Sequence, residues 1–269
     1  MKKSLVMTVL FFITTPSFAS SMSFSFRFKT LFINNPADPN DFRTSSSFFW
    51  SHDANQAPIV GQMGQHFSII EGKISRDIIY LCGLRFLIET SLDYADFPSF
   101  DIITFDGHFG LFSDFIYKNL SFKAGFDHWS AHYVDGTAIS KIQSKKGFSY
   151  EDLKLYFRYM LIHDVALFAK LEQIISGSSF KNRPRNIALG LNYSLPFLQS
   201  LKPFMSISLG LNGKVNYKLE ENIVLGLNLG NEDYPFQIGL NYFNGYQKAG
   251  MEYSNKTQNF GIIILFPFF

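Results

Sequence analysis

The stretch "NIALGLNYS", Asn186–Ser194, decides the fold class. Its odd positions, Ile187, Leu189, Leu191 and Tyr193, are apolar, and its even positions, Asn186, Ala188, Gly190, Asn192 and Ser194, are small or polar. A period of two is the period of a strand, whose successive side chains leave opposite faces. One greasy face and one small, wet face describe a strand between lipid and a water-filled interior. The pattern recurs as Gly210-Leu211-Asn212, Gly226-Leu227-Asn228 and Gly239-Leu240-Asn241. In each copy the Leu points outward and Gly and Asn point inward, as in successive hairpins of one sheet.

The remainder of the chain extends this reading. Met1-Lys2-Lys3, the apolar run "SLVMTVLFFI" and Ser17-Phe18-Ala19 form a basic start, a hydrophobic stretch and a small-x-small cleavage site. Residues 1–19 therefore read as a secretory signal peptide cleaved after Ala19, and the mature chain as exported. The single Cys82 excludes an intrachain disulfide or a cysteine-built metal site, and it reads as a packing residue on a lipid face. A net charge of +2 gives no reason to expect nucleic acid. The chain holds 32 Phe and 13 Tyr, yet no uncharged apolar run after the signal is long enough for a membrane helix. That leaves a secreted β-protein or an outer-membrane barrel. Lipid-like residues on nearly every outer face favour the barrel.

We place twelve antiparallel strands at about 41–51, 58–71, 77–91, 101–117, 120–133, 150–161, 165–175, 186–195, 203–214, 220–230, 235–244 and 258–269. Short turns at Lys118-Asn119, Ile162–Asp164 and Glu232–Pro235 alternate with long polar loops at 134–149, 177–185 and 245–258. Short periplasmic turns, long outer loops and an even strand count put both termini in the periplasm. The chain closes on "ILFPFF", and a terminal Phe on an apolar last strand resembles the signal that barrel-assembly machinery reads during biogenesis. Residues 20–40 read as a periplasmic N-terminal segment ahead of the 41–269 barrel, with Pro36 and Pro39 ending any strand. The alternation in "SFSFRFKTLF" leaves an extra strand there open.

One segment carries candidate chemistry: "GFDHWSAHYVDG", Gly125–Gly136. Across 120–133 the even set begins Leu120, Phe122, Ala124, Phe126 and continues His128, Ser130, His132. The even face is therefore the outer face, and the polar trio lies at its upper end. A bulge at Gly125 would instead swap the faces and turn the histidines inward. In "SYEDLKLYFRYML" the odd positions face lipid, which puts Glu151 on the same exterior. Pairing the apolar faces sets Phe126 opposite Leu155 and His128 opposite Leu153, bringing Ser130 near Glu151. On the preceding strand Phe109 falls beside His128 and Gly107 beside Ser130, where the missing side chain leaves room for a substrate chain.

The sharp reading is a Ser–His–carboxylate unit. Ser130 is too weak an acid to attack an ester unaided, so His128 takes its proton and Glu151 fixes the imidazole. The plain reading is a polar rim at headgroup level. His128 and His132, four residues apart and roughly 13 Å along a strand, do not share one metal ion, and no cofactor is indicated. Inward charges at Asp106, Asp114, Lys123, Asp127, Lys154, Arg158, Lys170 and Glu172 read as a lumen network of mixed sign, unlike a strongly selective pore.

The "HWS" triplet resembles the His-x-Ser motif of outer-membrane phospholipase A and of the lipid A 3-O-deacylase barrels. These carry His and Ser on the outer face of a strand and a third member, Asn or Glu, on its neighbour. The resemblance implies a lipid-facing acyl hydrolase acting on phospholipid or lipid A through Ser130, His128 and Glu151. Their Asn after the Ser is Ala131 here. A longer resemblance runs through "NNPADPNDFR", "DIITFDGHFGL", "DHWSAHYVDG" and "SYEDLKLYFRY" to a bacterial outer-membrane β-barrel family of unknown function (domain of unknown function 1207). It rests on Ala37-Asp38-Pro39, on His128, Ser130, His132 and Asp135, and on Ser149-Tyr150-Glu151, with Ala131 where the family has a second Ser. It implies the outer membrane and the barrel fold, and carries no activity. A non-enzymatic barrel, either a narrow channel or a structural and interaction protein, is the competing class.

Overall fold

The computed structural model describes residues 21–28, 31, 36–38, 44–51, 59–96, 99–133, 147–177, 180, 182–195, 201–230, 235–246 and 256–266. Residues 1–19, where a signal peptide is expected, lie outside them, as do Pro39, Asp135 and Phe269. Among the described residues thirteen strands form one antiparallel sheet. They are β1 (Ser21–Phe28), β2 (Thr44–Ser51), β3 (Ile59–Lys73), β4 (Ile78–Asp96), β5 (Ser99–Tyr117), β6 (Leu120–Tyr133) and β7 (Phe148–Ile162), followed by β8 (Val165–Gly177), β9 (Arg185–Ser194), β10 (Leu201–Asn212), β11 (Lys218–Gly230), β12 (Pro235–Tyr246) and β13 (Lys256–Phe266). Consecutive strands from β2 to β13 pair in order, and β13 pairs with β2, closing a twelve-stranded barrel. The largest change in length from the expected spans is in β4, which runs to Asp96 where 91 was expected.

The alternation that predicted the strands is the alternation of burial. Leu189 is 63% and Leu225 50% exposed, whereas Val224 and Asn222 on β11 are buried. Large apolar side chains such as Phe109, Leu161, Leu189 and Leu225 stand exposed on the outer face, as a lipid-facing wall requires.

The inner face is charged and densely paired. Asp127 accepts from Arg85 Nε at 2.7 Å and Nη2 at 2.5 Å, and Lys154 Nζ lies 3.1 Å from the same carboxylate. Lys154 also reaches Asp152 at 3.3 Å, and Lys123 lies 3.0 Å from His66 Nε2. Higher up, Lys214 of the short 3-10 turn Gly213–Val215 folds inward, donating to Tyr150 Oη at 2.7 Å and pairing with Glu172 at 3.5 Å. Its ammonium sits 4.9 Å from the Trp129 ring centre and 4.5 Å from that of Tyr150, a cation–π geometry. Phe148, Ile174 and Phe180 complete this aromatic cluster.

Arg85 has room only because Gly125 faces it. A Cβ built on Gly125 would fall 1.9 Å from the Arg85 Nη2 atom. Gly125→Ala is therefore expected to destabilise the barrel by about 1–3 kcal/mol through overpacking. Urea unfolding of the reconstituted protein, followed by Trp fluorescence, measures this. An unchanged midpoint would mean that Arg85 relaxes elsewhere at no cost.

Ahead of the barrel, the chain does something the local pattern does not announce. β1 pairs with residues 67–73 of β3, and β2 pairs with 59–62 of the same edge, so two short strands share one flank of β3. Of the residues between them, the described Leu31 and Ala37–Asp38 bond to the inner side of the wall. Leu31 N–H donates to Asp114 of β5 at 2.9 Å, and Ala37 N–H to Ser206 of β10 at 3.3 Å. The Ala37 carbonyl accepts from Asn222 of β11 at 2.7 Å, and both carboxylate oxygens of Asp38 accept from Lys170 of β8 at 3.0 Å. Ala37 packs with Phe204, Val224, Ile263 and Leu265. A cavity of about 50 Å³ remains between this segment and the upper cluster, lined among others by Asp38, Trp129, Lys170 and Glu172.

Candidate functional site

β6 crosses the wall without a bulge, so its faces hold from end to end. Asp127, Trp129 and Ala131 are buried inside, while Phe126, His128 and His132 are exposed and Ser130 is half-buried on the outside. The polar trio thus faces outward, and the inward alternative through a bulge at Gly125 is not adopted. Trp129 is inward because its ring meets His108 at 3.7 Å and Tyr150 at 5.2 Å between ring centres.

On the β5 side, Phe109 pairs with His128 and Gly107 with Ser130, as counting the strand residues suggested. On the β7 side the register differs from expectation by two residues. Phe126 lies opposite Leu153, not Leu155, and His128 lies opposite Glu151, not Leu153. A slide of two keeps every side chain on its face, so the outer pattern cannot choose between the two registers. The inner face chooses: Trp129 meets Tyr150, and Lys154 falls opposite Gly125 within reach of Asp127. β7 starts at Phe148, earlier than expected, and Ser149 becomes the partner of Ser130.

The corrected register puts Glu151 on His128 directly. His128 Nδ1 lies 3.3 Å from Glu151 Oε1, with the two side chains 50% and 31% exposed. A register shift in the β7–β8 ladder falls between Glu151 and Asp152, beside this pair. Ser130 Oγ shares a 2.5 Å hydrogen bond with His132 Nε2, not with His128. His132 is thus a contact of Ser130 that the sequence reading placed on the same face but gave no role. The signal was present, since positions two apart on one face of a strand are neighbours in both directions.

The surroundings leave the group open. A Cβ on Gly107 would meet nothing within 4 Å, so the wall beside Ser130 carries a notch between the exposed Phe105 and Phe109. At Gly147 the reverse holds: a Cβ would fall 2.3 Å from His132 Nδ1 and 2.7 Å from the Ala131 carbonyl oxygen. The His132 ring lies where it does because residue 147 has no side chain. Among the described residues no three His, Cys, Asp or Glu side chains gather as a metal site.

A family model described as protein of unknown function (DUF1207) matches residues 53–268, and the chain belongs to that family. No curated protein sequence matches it. In three dimensions it is similar to outer membrane phospholipase A from Escherichia coli, at 12% identity and a TM-score of 0.59 over 83% of this chain and 92% of that one. It is also similar to the Salmonella typhi outer membrane phospholipase, solved as a dimer with bound calcium, at 12% identity and a TM-score of 0.57 over 85% and 93% of the two chains. LpxR from Salmonella typhimurium aligns at 13% identity and a TM-score of 0.46 over 85% and 99%. At these identities the first two establish the fold, which is that of an outer-membrane β-barrel.

Proposed function

We propose that this member of the DUF1207 family is a lipid-facing acyl hydrolase of the bacterial outer membrane, using Ser130, His128 and Glu151 on an ester of outer-leaflet phospholipid or lipid A. The observation that carries the reading is the outward group itself. An imidazole paired to a carboxylate at 3.3 Å stands two residues from a serine, beside an open notch at Gly107, on a wall that otherwise presents hydrocarbon.

With Glu151 accepting from Nδ1, the His128 Nε2 lone pair is free to take the Ser130 proton. An ester carbonyl reaches Ser130 from the lipid side without extraction of the lipid, its acyl chain lying in the notch between Phe105 and Phe109. In this reading the chain is exported behind the 1–19 leader. Its short-turn end, where β13 finishes, lies in the periplasm with both termini, and the barrel-assembly machinery inserts it.

Fatty-acid release by the full-length protein in phosphatidylethanolamine vesicles, and separately on lipopolysaccharide, tests the reading and distinguishes the two ester sources. Ser130→Ala is expected to reduce release to that of protein-free vesicles. Undiminished release in this variant would exclude the assignment. Absence of release by the wild-type barrel on both substrates would return the chain to the non-enzymatic class.

A further inference from the structure

Ester hydrolysis needs a donor for the oxygen that turns negative as the carbonyl is attacked. In many folds backbone N–H groups serve. Here they are already engaged, because Ser130 is paired on both sides, with Gly107 of β5 and Ser149 of β7, in uninterrupted ladders. A barrel strand spends its amides on its neighbours, so among the described residues of this face the donor at hand is a side chain.

We infer that His132 is a further catalytic residue of this site, presenting an Nε2–H to the developing oxyanion; the inference rests on the hydrolase reading above. A hydroxyl has one donor and two acceptor positions. With the proton on His132 Nε2, the 2.5 Å contact fills one acceptor position of Ser130 Oγ. The hydroxyl proton is then available to the other neighbour on the face, His128; with the Nδ1–H of that ring donated to Glu151, its Nε2 is an acceptor. One assignment of protons thus gives the serine a base on one side and a donor on the other. The reverse assignment, Ser130 donating to His132, leaves the His128–Glu151 pair idle and the oxyanion with no donor assigned.

In the reaction Oγ bonds to the carbonyl carbon, the π pair moves to the carbonyl oxygen, and the Ser130 proton passes to His128 Nε2. That oxygen shares its carbon with Oγ, so a donor already touching Oγ swings to it with a small ring movement. Collapse re-forms the carbonyl and expels the alcohol, which takes the proton from His128. Water repeats the sequence on the acyl-serine, releasing the fatty acid and restoring Ser130. His132 keeps its proton throughout.

The test measures kcat and KM for fatty-acid release by the full-length barrel in phosphatidylethanolamine vesicles, with heat-dependent gel mobility showing that each variant is folded. His132→Ala is expected to lower kcat about 10²–10³-fold with KM nearly unchanged, the scale seen when one oxyanion donor is removed. His132→Gln, whose amide still donates, is expected to recover at least about tenfold of that loss. The acid limb of the pH–rate profile persists in both variants and disappears in His128→Ala. Gly147→Ala keeps the imidazole but displaces its ring, and its kcat is expected to fall with that of His132→Ala. Wild-type kcat in His132→Ala or in Gly147→Ala would overturn the inference. So would a His132→Gln variant as inactive as the alanine with its acid limb gone, since His132 would then be the base. Activity surviving in Ser130→Ala would remove the hydrolase reading itself. An inactive Ser130→Ala beside an unimpaired His132→Ala removes only the role of His132.

Discussion

Replacing His128 with alanine is expected to slow fatty-acid release about 10⁴-fold, the upper end of what a positioned general base contributes. The expectation follows from the direct pairing of His128 with Glu151 across β6 and β7. This is the imidazole whose tautomer a carboxylate fixes, and Ser130 cannot lose its proton at neutral pH without such an acceptor. Glu151→Gln should cost less. The pair is 50% and 31% exposed, so the carboxylate's field on the ring is weakened by its surroundings, and its main task is orientation. Steady-state release in vesicles gives both numbers. Added imidazole should partly restore His128→Ala and leave Ser130→Ala inactive. A His128→Ala variant within tenfold of wild type would show that the base lies elsewhere.

The second large effect concerns the interior. Asp127 is fully buried between Arg85 and Lys154, and each of these cations has side-chain exposure of 1%. Removing the carboxylate takes the bidentate acceptor from buried Arg85 and, of the carboxylates Asp127 and Asp152, leaves Lys154 with Asp152 alone. Asp127→Ala is expected to destabilise the folded barrel by about 3–5 kcal/mol, the usual result of breaking a buried pair from one side. The double replacement Arg85→Met with Asp127→Leu should recover part of this, because the stranded charge is mostly the cost. Urea unfolding in vesicles, with Trp129 next to the network as reporter, gives the free energies and their coupling. A single Asp127→Ala change costing under 1 kcal/mol would mean that water already reaches Arg85.

What the sequence made legible was whatever alternation controls. Twelve strands, the outward trio and the β5–β6 register all follow from side chains taking opposite faces in turn. The β6–β7 register was not legible, because a slide of two residues preserves that pattern and the deciding contact, Trp129 with Tyr150, is on the inner face. The partner of Ser130 was ambiguous for a similar reason. His128 and His132 are equivalent neighbours by position, and Gly147, which admits the His132 ring, is far from it in sequence, just ahead of β7. The inward course of Ala37 and Asp38 had no local signal at all. Its partners Ser206 and Asn222 stand 169 and 185 residues away from Ala37.

Those separations bear on the order in which the molecule is made. The strands β1 and β2 that flank Ala37 and Asp38 in sequence are stitched to β3, among the first parts of the chain to emerge, but Ala37 and Asp38 bind β8, β10 and β11. Contacts between the beginning of a chain and its last third are the slowest to be established. The N-terminal segment therefore cannot reach its final place until most of the wall exists. Barrel closure and the seating of Ala37 on Ser206 and Asn222 become late steps of one maturation, and a chain arrested before β10 would hold Ala37 without either partner.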